Sequence, residues 1–270
     1  MKNMSCEVKS IGSRDFEMDY IKFGSGAKNL VILPGLSIVS VIPAAPAIEK
    51  QYEIFEKDYT VYLFDRRKSL PADYSVYDMA EDTVRAINEL KLSEIYLFGT
   101  SQGGMMAMYI AARYPDLVKA LAAGSAPYRV SEEQSKIFKN WIALAENEKR
   151  EELYLSFGEK VYPDNVFEKY KDFFRQISKG VTKEDLKRFV ILAKGVFGFD
   201  LSDVADKIIC PFYATGDTED LIFGETASEL ERVMKHNSKF EKFVYQGYGH
   251  ASYDAAPDYA NRLFEFFNKY

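Results

Sequence analysis

Gly99-Thr100-Ser101-Gln102-Gly103 lies between an apolar run, Ile95-Tyr96-Leu97-Phe98, and a helix-forming one, Met105 to Ala112. A strand that ends, turns sharply and becomes a helix with a serine at the apex leaves few architectures open. Such a turn forces Ser101 into a strained backbone conformation, and strand and helix pass so closely that only a hydrogen fits as the side chain two residues to either side. Gly99 and Gly103 meet that need, and Gly104 adds slack. The Ser101 hydroxyl is then exposed at the carboxyl end of a sheet. The N–H of Gln102, in the first turn of the new helix, points to where an oxyanion would form. The same pattern of letters also arises by chance in glycine- and serine-containing loops, but the flanking strand and helix favour a nucleophile.

A nucleophilic serine needs a base, and the chain has two histidines, His236 and His250. His236 closes the segment Glu229 to Asn237, which reads as an amphipathic helix with Lys235 and His236 in its final turn. Cationic groups there meet the helix dipole favourably, which predicts a solvated structural role. His250 follows the strand-like run Phe240 to Tyr245 and the loop Gln246-Gly247-Tyr248-Gly249. A histidine in a glycine-rich loop at a strand end can reach across to the serine, and His250 is the candidate base. A third group should orient the imidazole and stabilise the imidazolium. The carboxylates that could do so cluster after the strand Pro211 to Thr215, in Gly216-Asp217-Thr218-Glu219-Asp220-Leu221-Ile222-Phe223.

This order of strand and serine elbow, late strand and acid loop, then glycine-rich loop with histidine resembles the α/β-hydrolase superfamily, where the triad runs serine, acid, histidine along the chain. The resemblance covers nearly the whole chain. Leu30-Val31-Ile32-Leu33-Pro34-Gly35-Leu36 is similar to the family's oxyanion-loop strand, Phe64-Asp65-Arg66-Arg67 to the end of its next strand, and Pro257 to Phe267 to its closing helix. Most relatives carry His-Gly where this chain has Pro34-Gly35, so the second oxyanion donor is assigned by position to the N–H of Leu36. A glycine usually follows the Asp-x-Arg of the next strand; Lys68 stands there, which predicts a loop of another shape. Family register counted from Gly216, or back from Ala227, selects Glu219 as the acid. Residue type and the following Leu221-Ile222 favour Asp220, and the sequence leaves both open. Asp217, beside the glycine, reads as a turn or cap carboxylate.

The resemblance implies an α/β fold: a mostly parallel sheet flanked by helices, with residues 1–127 and 205–270 as the core and 128–204 as an inserted helical cap. Alternating strand and helix patterns agree with it up to Ala126-Pro127. Glu7 to Ile11 and Phe16 to Phe23 read as an antiparallel edge joined by a turn at Gly12-Ser13-Arg14-Asp15. Asn29 to Leu33 and Thr60 to Phe64 follow, with a helix near Ala47 to Glu56 between them. Val76, Met79, Ala80, Val84, Ile87 and Leu90 recur at helical spacing. Between Tyr128 and Val204 the alternation gives way to amphipathic helices rich in aromatics, among them Phe138, Trp141, Phe157, Phe173 and Phe189, which predict an apolar pocket roof.

At 270 residues and 47% hydrophobic, the chain can bury a substantial core. A net charge of −6 with no basic block argues against nucleic acid as a partner. Cys6 and Cys210 fall in different predicted strands and suggest neither a disulfide framework nor a metal site. Met1 to Ser10 has no apolar signal core, so a cytoplasmic location follows by default. The longest apolar stretch, Leu30 to Ile48, is interrupted by Pro34, Gly35, Pro43 and Pro46 and reads as strand, loop and helix start, which argues against a membrane partner. The expected activity is carboxylesterase-like: cleavage of an ester or related acyl bond in a small to medium, largely apolar molecule, with no metal or organic cofactor. Two alternatives stand beside it. One is a non-catalytic small-molecule receptor on the same fold; the other is a proline-iminopeptidase-like peptidase with a cap carboxylate such as Glu132, Glu133 or Glu168 as its amine anchor. Oligomeric state is not legible in the sequence.

Overall fold

The computed structural model describes residues 6–13 and 15–270. Met1 to Ser5, within the stretch read for a signal core, and Arg14 of the first expected turn lie outside the described residues. In chain order the strands β1 (Glu7–Ser13), β2 (Phe16–Phe23) and β3 (Lys28–Leu33) precede helix α1 (Ala45–Gln51). Strand β4 (Tyr59–Arg67), helix α2 (Val76–Glu89), strand β5 (Ile95–Thr100), helix α3 (Gln102–Arg113) and strand β6 (Val118–Gly124) complete the first half. Four helices follow: α4 (Glu132–Glu146), α5 (Arg150–Val161), α6 (Asp164–Ser178) and α7 (Lys183–Lys194). The chain then returns through β7 (Phe212–Asp217), α8 (Thr226–Val233), β8 (Phe240–Tyr245), the short α9 (Ser252–Ala255) and α10 (Tyr259–Phe267).

The strands form one eight-stranded sheet in the order β1-β2-β4-β3-β5-β6-β7-β8. Pairing is antiparallel between β1 and β2 and between β2 and β4, and parallel across the rest. Successive side chains point to opposite faces, and each face is covered. Val31, Leu33, Ile95 and Leu97 pack with α2 and α3 on one side, whereas Leu30, Ile32, Tyr96 and Phe98 pack with the α1 region and α10 on the other. This is the α/β-hydrolase arrangement expected from the strand and helix order. The run Leu30 to Ile48 is divided among β3, a loop, a single 3₁₀ turn at Ile42–Ala44 and the start of α1. No helix among the described residues is long and apolar enough to cross a membrane.

Several local expectations need correction. The Ala47 to Glu56 segment is two pieces, α1 and a 3₁₀ turn at Glu53–Phe55. The helix carrying Glu229 stops at Val233, so His236 lies in the turn beyond it and not in a helical last turn. The closing helix begins at Tyr259, after Pro257 and Asp258. Cys6 sits immediately before β1 and Cys210 two residues before β7; burial raises the Cys210 thiol to about 12, so it packs as an inert apolar group. Lys68 does not open a differently shaped loop at once, because its N–H donates to Glu17 O at 2.8 Å and continues the β2–β4 pairing by one residue.

Glycine spacing around the elbow is enforced by backbone contacts. A Cβ on Gly99 would lie 2.2 Å from Gly103 O, and one on Gly103 would lie 2.0 Å from Leu33 O. Gly104 provides no slack: its added Cβ would lie 2.4 Å from the Ala126 Cβ, so it is a packing glycine. Gly103→Ala is therefore expected to cost about 3 kcal/mol or more, since the opposing atoms are backbone and cannot swing away. Gly180→Ala, whose Cβ would meet Ile177 O at an ordinary 3.6 Å, should change stability by less than about 1 kcal/mol. Urea titration of the two variants checks the contrast; equal midpoints would refute it.

Candidate functional site

Ser101 occupies the strained conformation that the elbow demands, with φ 52° and ψ −122°, and is 8% exposed. A non-glycine residue held there costs energy, and neighbouring contacts must hold it in place. Its N–H donates to Gly124 O at 2.8 Å, tying the apex to the end of β6, and the Ser125 N–H makes the same 2.8 Å bond to Thr215 O. The carboxyl ends of β5, β6 and β7 thus stand in register. Because adjacent strands are about 4.8 Å apart, the elbow and the loop after β7 rise from one sheet edge about 10 Å from each other. The loop after β3 lies alongside: a Cβ on Gly35 would be 3.1 Å from the Ser101 Cβ and 3.7 Å from its Oγ. Leu36 follows, half-buried against the core.

Of the two acids left open by the sequence, the structure brings Asp220 to the histidine. Its Oδ2 lies 2.9 Å from His250 Nδ1, and its Oδ1 accepts the N–H groups of Ile222 at 2.8 Å and Phe223 at 3.1 Å. Those backbone donors hold the carboxylate in one orientation. Both partners are buried, with His250 2% exposed. Glu219 is exposed, and its backbone N–H donates to Asp217 Oδ1 at 2.8 Å. Asp217 has the cap role expected of it: Oδ2 accepts the Tyr248 N–H at 3.0 Å, joining the acid loop to the loop before His250. His250 itself sits in a 3₁₀ turn, Gly249–Ala251, with the Phe223 ring at 5.5 Å and the Tyr253 ring at 6.2 Å. Gly249 has φ +64° and carries the close approach of Val161 O and Pro163, which a Cβ would meet at 3.2 and 3.3 Å. His236 stays apart from this group, exposed near Ile208 at the amino end of β7.

The helical insertion α4 to α7 touches the end of β4, the first turn of α3, the acid loop and the turn that carries His250. It leaves and returns through paired backbone, Leu201 N–H to Tyr128 O at 2.9 Å and Val130 N–H to Phe199 O at 2.9 Å. Gln134 Nε2 donates to Phe223 O at 3.0 Å, and the Phe138 ring stacks on Phe223 at 5.9 Å. From there an aromatic chain runs through Trp141 and Phe157 to Phe189. Most of the aromatics singled out in the sequence therefore hold the insertion together, and Phe173 is largely exposed.

One participant was not legible beforehand. Arg66 is 3% exposed, and its Nη2 donates to Pro34 O at 2.8 Å and to Gln102 Oε1 at 3.2 Å. Burial pulls its guanidinium down to about 10, with the Asp65 carboxylate opposing that fall, so it remains a cation at neutral pH. The available signal was a pair of charges ending an otherwise apolar strand, Tyr62-Leu63-Phe64-Asp65-Arg66.

Comparison with known proteins agrees with this fold. A family profile described as alpha/beta hydrolase fold matches residues 28–152. The chain is similar to the serine hydrolase BPHL of Mus musculus, 27% identical over 131 residues, which are 45% of this chain and 44% of that protein. The match thus spans less than half the length of that curated relative. Among solved structures, MGS-M2, an alpha/beta hydrolase enzyme from a Medee basin deep-sea metagenome library, aligns with a TM-score of 0.85 at 18% identity, covering 96% of this chain and 97% of that one. The enol-lactonase from Burkholderia xenovorans LB400 aligns at 0.82 with 16% identity, covering 96% and 100%. Strand order and backbone likeness show that the chain has the α/β-hydrolase fold, and the profile match over residues 28–152 agrees with it.

Proposed function

We propose that this protein is a serine hydrolase that cleaves an ester or related acyl bond in a small to medium, largely apolar substrate. The observation that carries the reading is the buried 2.9 Å pair of His250 Nδ1 and Asp220 Oδ2, raised from the same sheet edge as the strained Ser101. A carboxylate on Nδ1 fixes the tautomer that leaves Nε2 free to accept a proton. In this reading Ser101 Oγ attacks the carbonyl carbon while His250 Nε2 takes its proton. The carbonyl electron pair moves onto oxygen, held by the N–H groups of Gln102 and Leu36. Collapse of that intermediate expels the leaving alkoxide, which takes the proton from His250. Water, deprotonated by the same imidazole, then releases the acid and restores Ser101. The insertion 128–204 acts as a cap, its Phe138 ring stacked on Phe223, which supplies apolar surface beside the imidazole. Against the peptidase alternative, Glu133 and Glu168 pair with Lys136 and Lys171 on the helix surface, and Glu132 is exposed in the first turn of α4.

Two predictions follow from these roles. A fluorophosphonate probe should label the protein at Ser101, and Ser101→Ala should abolish labelling and lower turnover of short-chain p-nitrophenyl esters by about 10⁴-fold or more. Tight binding of apolar esters without labelling or turnover would instead indicate a receptor, and preference for aminoacyl-p-nitroanilides a peptidase. Asp220→Asn keeps the Oδ1 acceptor for Ile222 and Phe223 but places an NH₂ group against His250 Nδ1. It should cost about 10⁴-fold in kcat through the wrong tautomer. Glu219→Gln should leave kcat roughly unchanged, and the opposite ranking in steady-state assays would overturn the assignment of the acid.

A further inference from the structure

An oxyanion hole built from Leu36 and Gln102 draws its donors from two separate segments, the loop after β3 and the first turn of α3. For both N–H groups to converge on one oxygen, the segments must be held in fixed relation. One nitrogen of Arg66 spans them. Nη2 donates to Pro34 O at 2.8 Å, two residues before Leu36, and to the side-chain oxygen of Gln102 at 3.2 Å. The other end of the same Gln102 amide, Nε2, donates to Leu192 O of α7 at 2.7 Å. Gln102 is thus pinned at both ends of its side chain, between the core arginine and the helical insertion.

A second set of bonds runs parallel. Asp65 Oδ1 accepts Arg188 Nη2 of α7 at 2.9 Å and the backbone N–H of Arg66 at 2.8 Å. Asp65 Oδ2 accepts Ser40 Oγ at 2.7 Å, farther along the loop that carries Leu36. Asp65 and Arg66 together therefore connect α7, the oxyanion loop and the elbow. This arrangement is expensive: the cation is buried, and its Nε has no hydrogen-bond partner among the described residues. An apolar side chain of similar volume would fill the space with a smaller desolvation penalty. What it would lack is any donor for the two acceptors that Nη2 serves, and a lysine ammonium would meet them only from a flexible stem.

We propose that Arg66 is a positioning residue for the oxyanion hole, and that it makes the hole's geometry depend on the seating of α7. With α7 in place, Leu192 O and Arg188 hold Gln102 and Asp65, and Arg66 draws the Pro34-Gly35-Leu36 loop onto the elbow. With α7 displaced, Gln102 loses one anchor and the donors drift apart. The inference rests on the serine-hydrolase reading, and the experiment separates the two.

Steady-state kinetics with p-nitrophenyl butyrate and amide hydrogen exchange are measured on the wild type, Arg66→Met, Arg66→Lys and Gln102→Met. Arg66→Met should lower kcat on the order of 10- to 100-fold with KM changed less than about threefold. Arg66→Lys should recover part of the loss. Because both side chains serve one bridge, the Arg66→Met/Gln102→Met double variant should lose about as much as the worse single one. Exchange should quicken in segments 34–37, 101–105 and 188–194 while β8 is unchanged. Wild-type kcat and exchange in folded Arg66→Met would overturn the proposal, as would a loss of activity that merely tracks unfolding. Should Arg66→Met fail to fold, Gln102→Met reads the same bridge with the same expected and contrary results. If the wild type shows no Ser101-dependent turnover, the hydrolase reading falls; the exchange pattern alone then decides whether Arg66 couples α7 to the two loops.

Discussion

The backbone contact between the end of β3 and the first turn of α3 organises this edge of the molecule. Leu33 O and Pro34 O lie where a side chain on Gly103 would be, and Gly103 O lies where one on Gly99 would be. No side chain can relax such a contact, so strand, turn and helix have one way to pass each other. The strain at Ser101 is sustained by it, and by the bonds that the Ser101 and Ser125 N–H groups make to the neighbouring strands. The loop after β3 is consequently brought beside Ser101 by the same packing that makes the turn.

Much of this was legible in the sequence because it is written in local patterns. A central strand buried on both faces, such as β5, reads as a short apolar run, and the bounds of β2 and β8 match those read from the sequence residue for residue. The spacing of Gly99, Ser101 and Gly103 is a local signature of a steric requirement that is not local. The acid was harder. Glu219 and Asp220 are adjacent carboxylates in an irregular loop, where neither alternation nor helical period says which side chain turns inward. The choice is made by Oδ1 of Asp220 capping the N–H groups of Ile222 and Phe223, while Glu219 remains in solvent. Arg66 lay beyond reach for another reason. Its partners, Pro34, Gln102 and, through Gln102, Leu192, are distant in sequence, and a charged residue at a strand end ordinarily reads as solvated. Gly104 and His236 differ from expectation for a third reason: the space beside Gly104 is filled by Ala126, and α8 ends three residues before His236, neither of which local spacing reveals.

The helical insertion is joined to the core by directional bonds as well as by apolar area. Gln134 to Phe223 O, Gln102 to Leu192 O and Arg188 to Asp65 each join a side chain on one body to a group on the other. Apolar contacts tolerate sliding, whereas hydrogen bonds fail within about an ångström. The insertion is therefore seated at discrete points: the acid loop, the first turn of α3 and the end of β4.

Asp217 shows how the imidazole and its carboxylate are kept in step. One of its oxygens holds the chain just ahead of Asp220, and the other holds the chain just ahead of His250. The two loops are clasped below the pair that they present, independently of anything resting on them from above. The alignment of acid and histidine therefore rests on bonds within their own two loops and not on the contact of Gly249 with the α5–α6 junction.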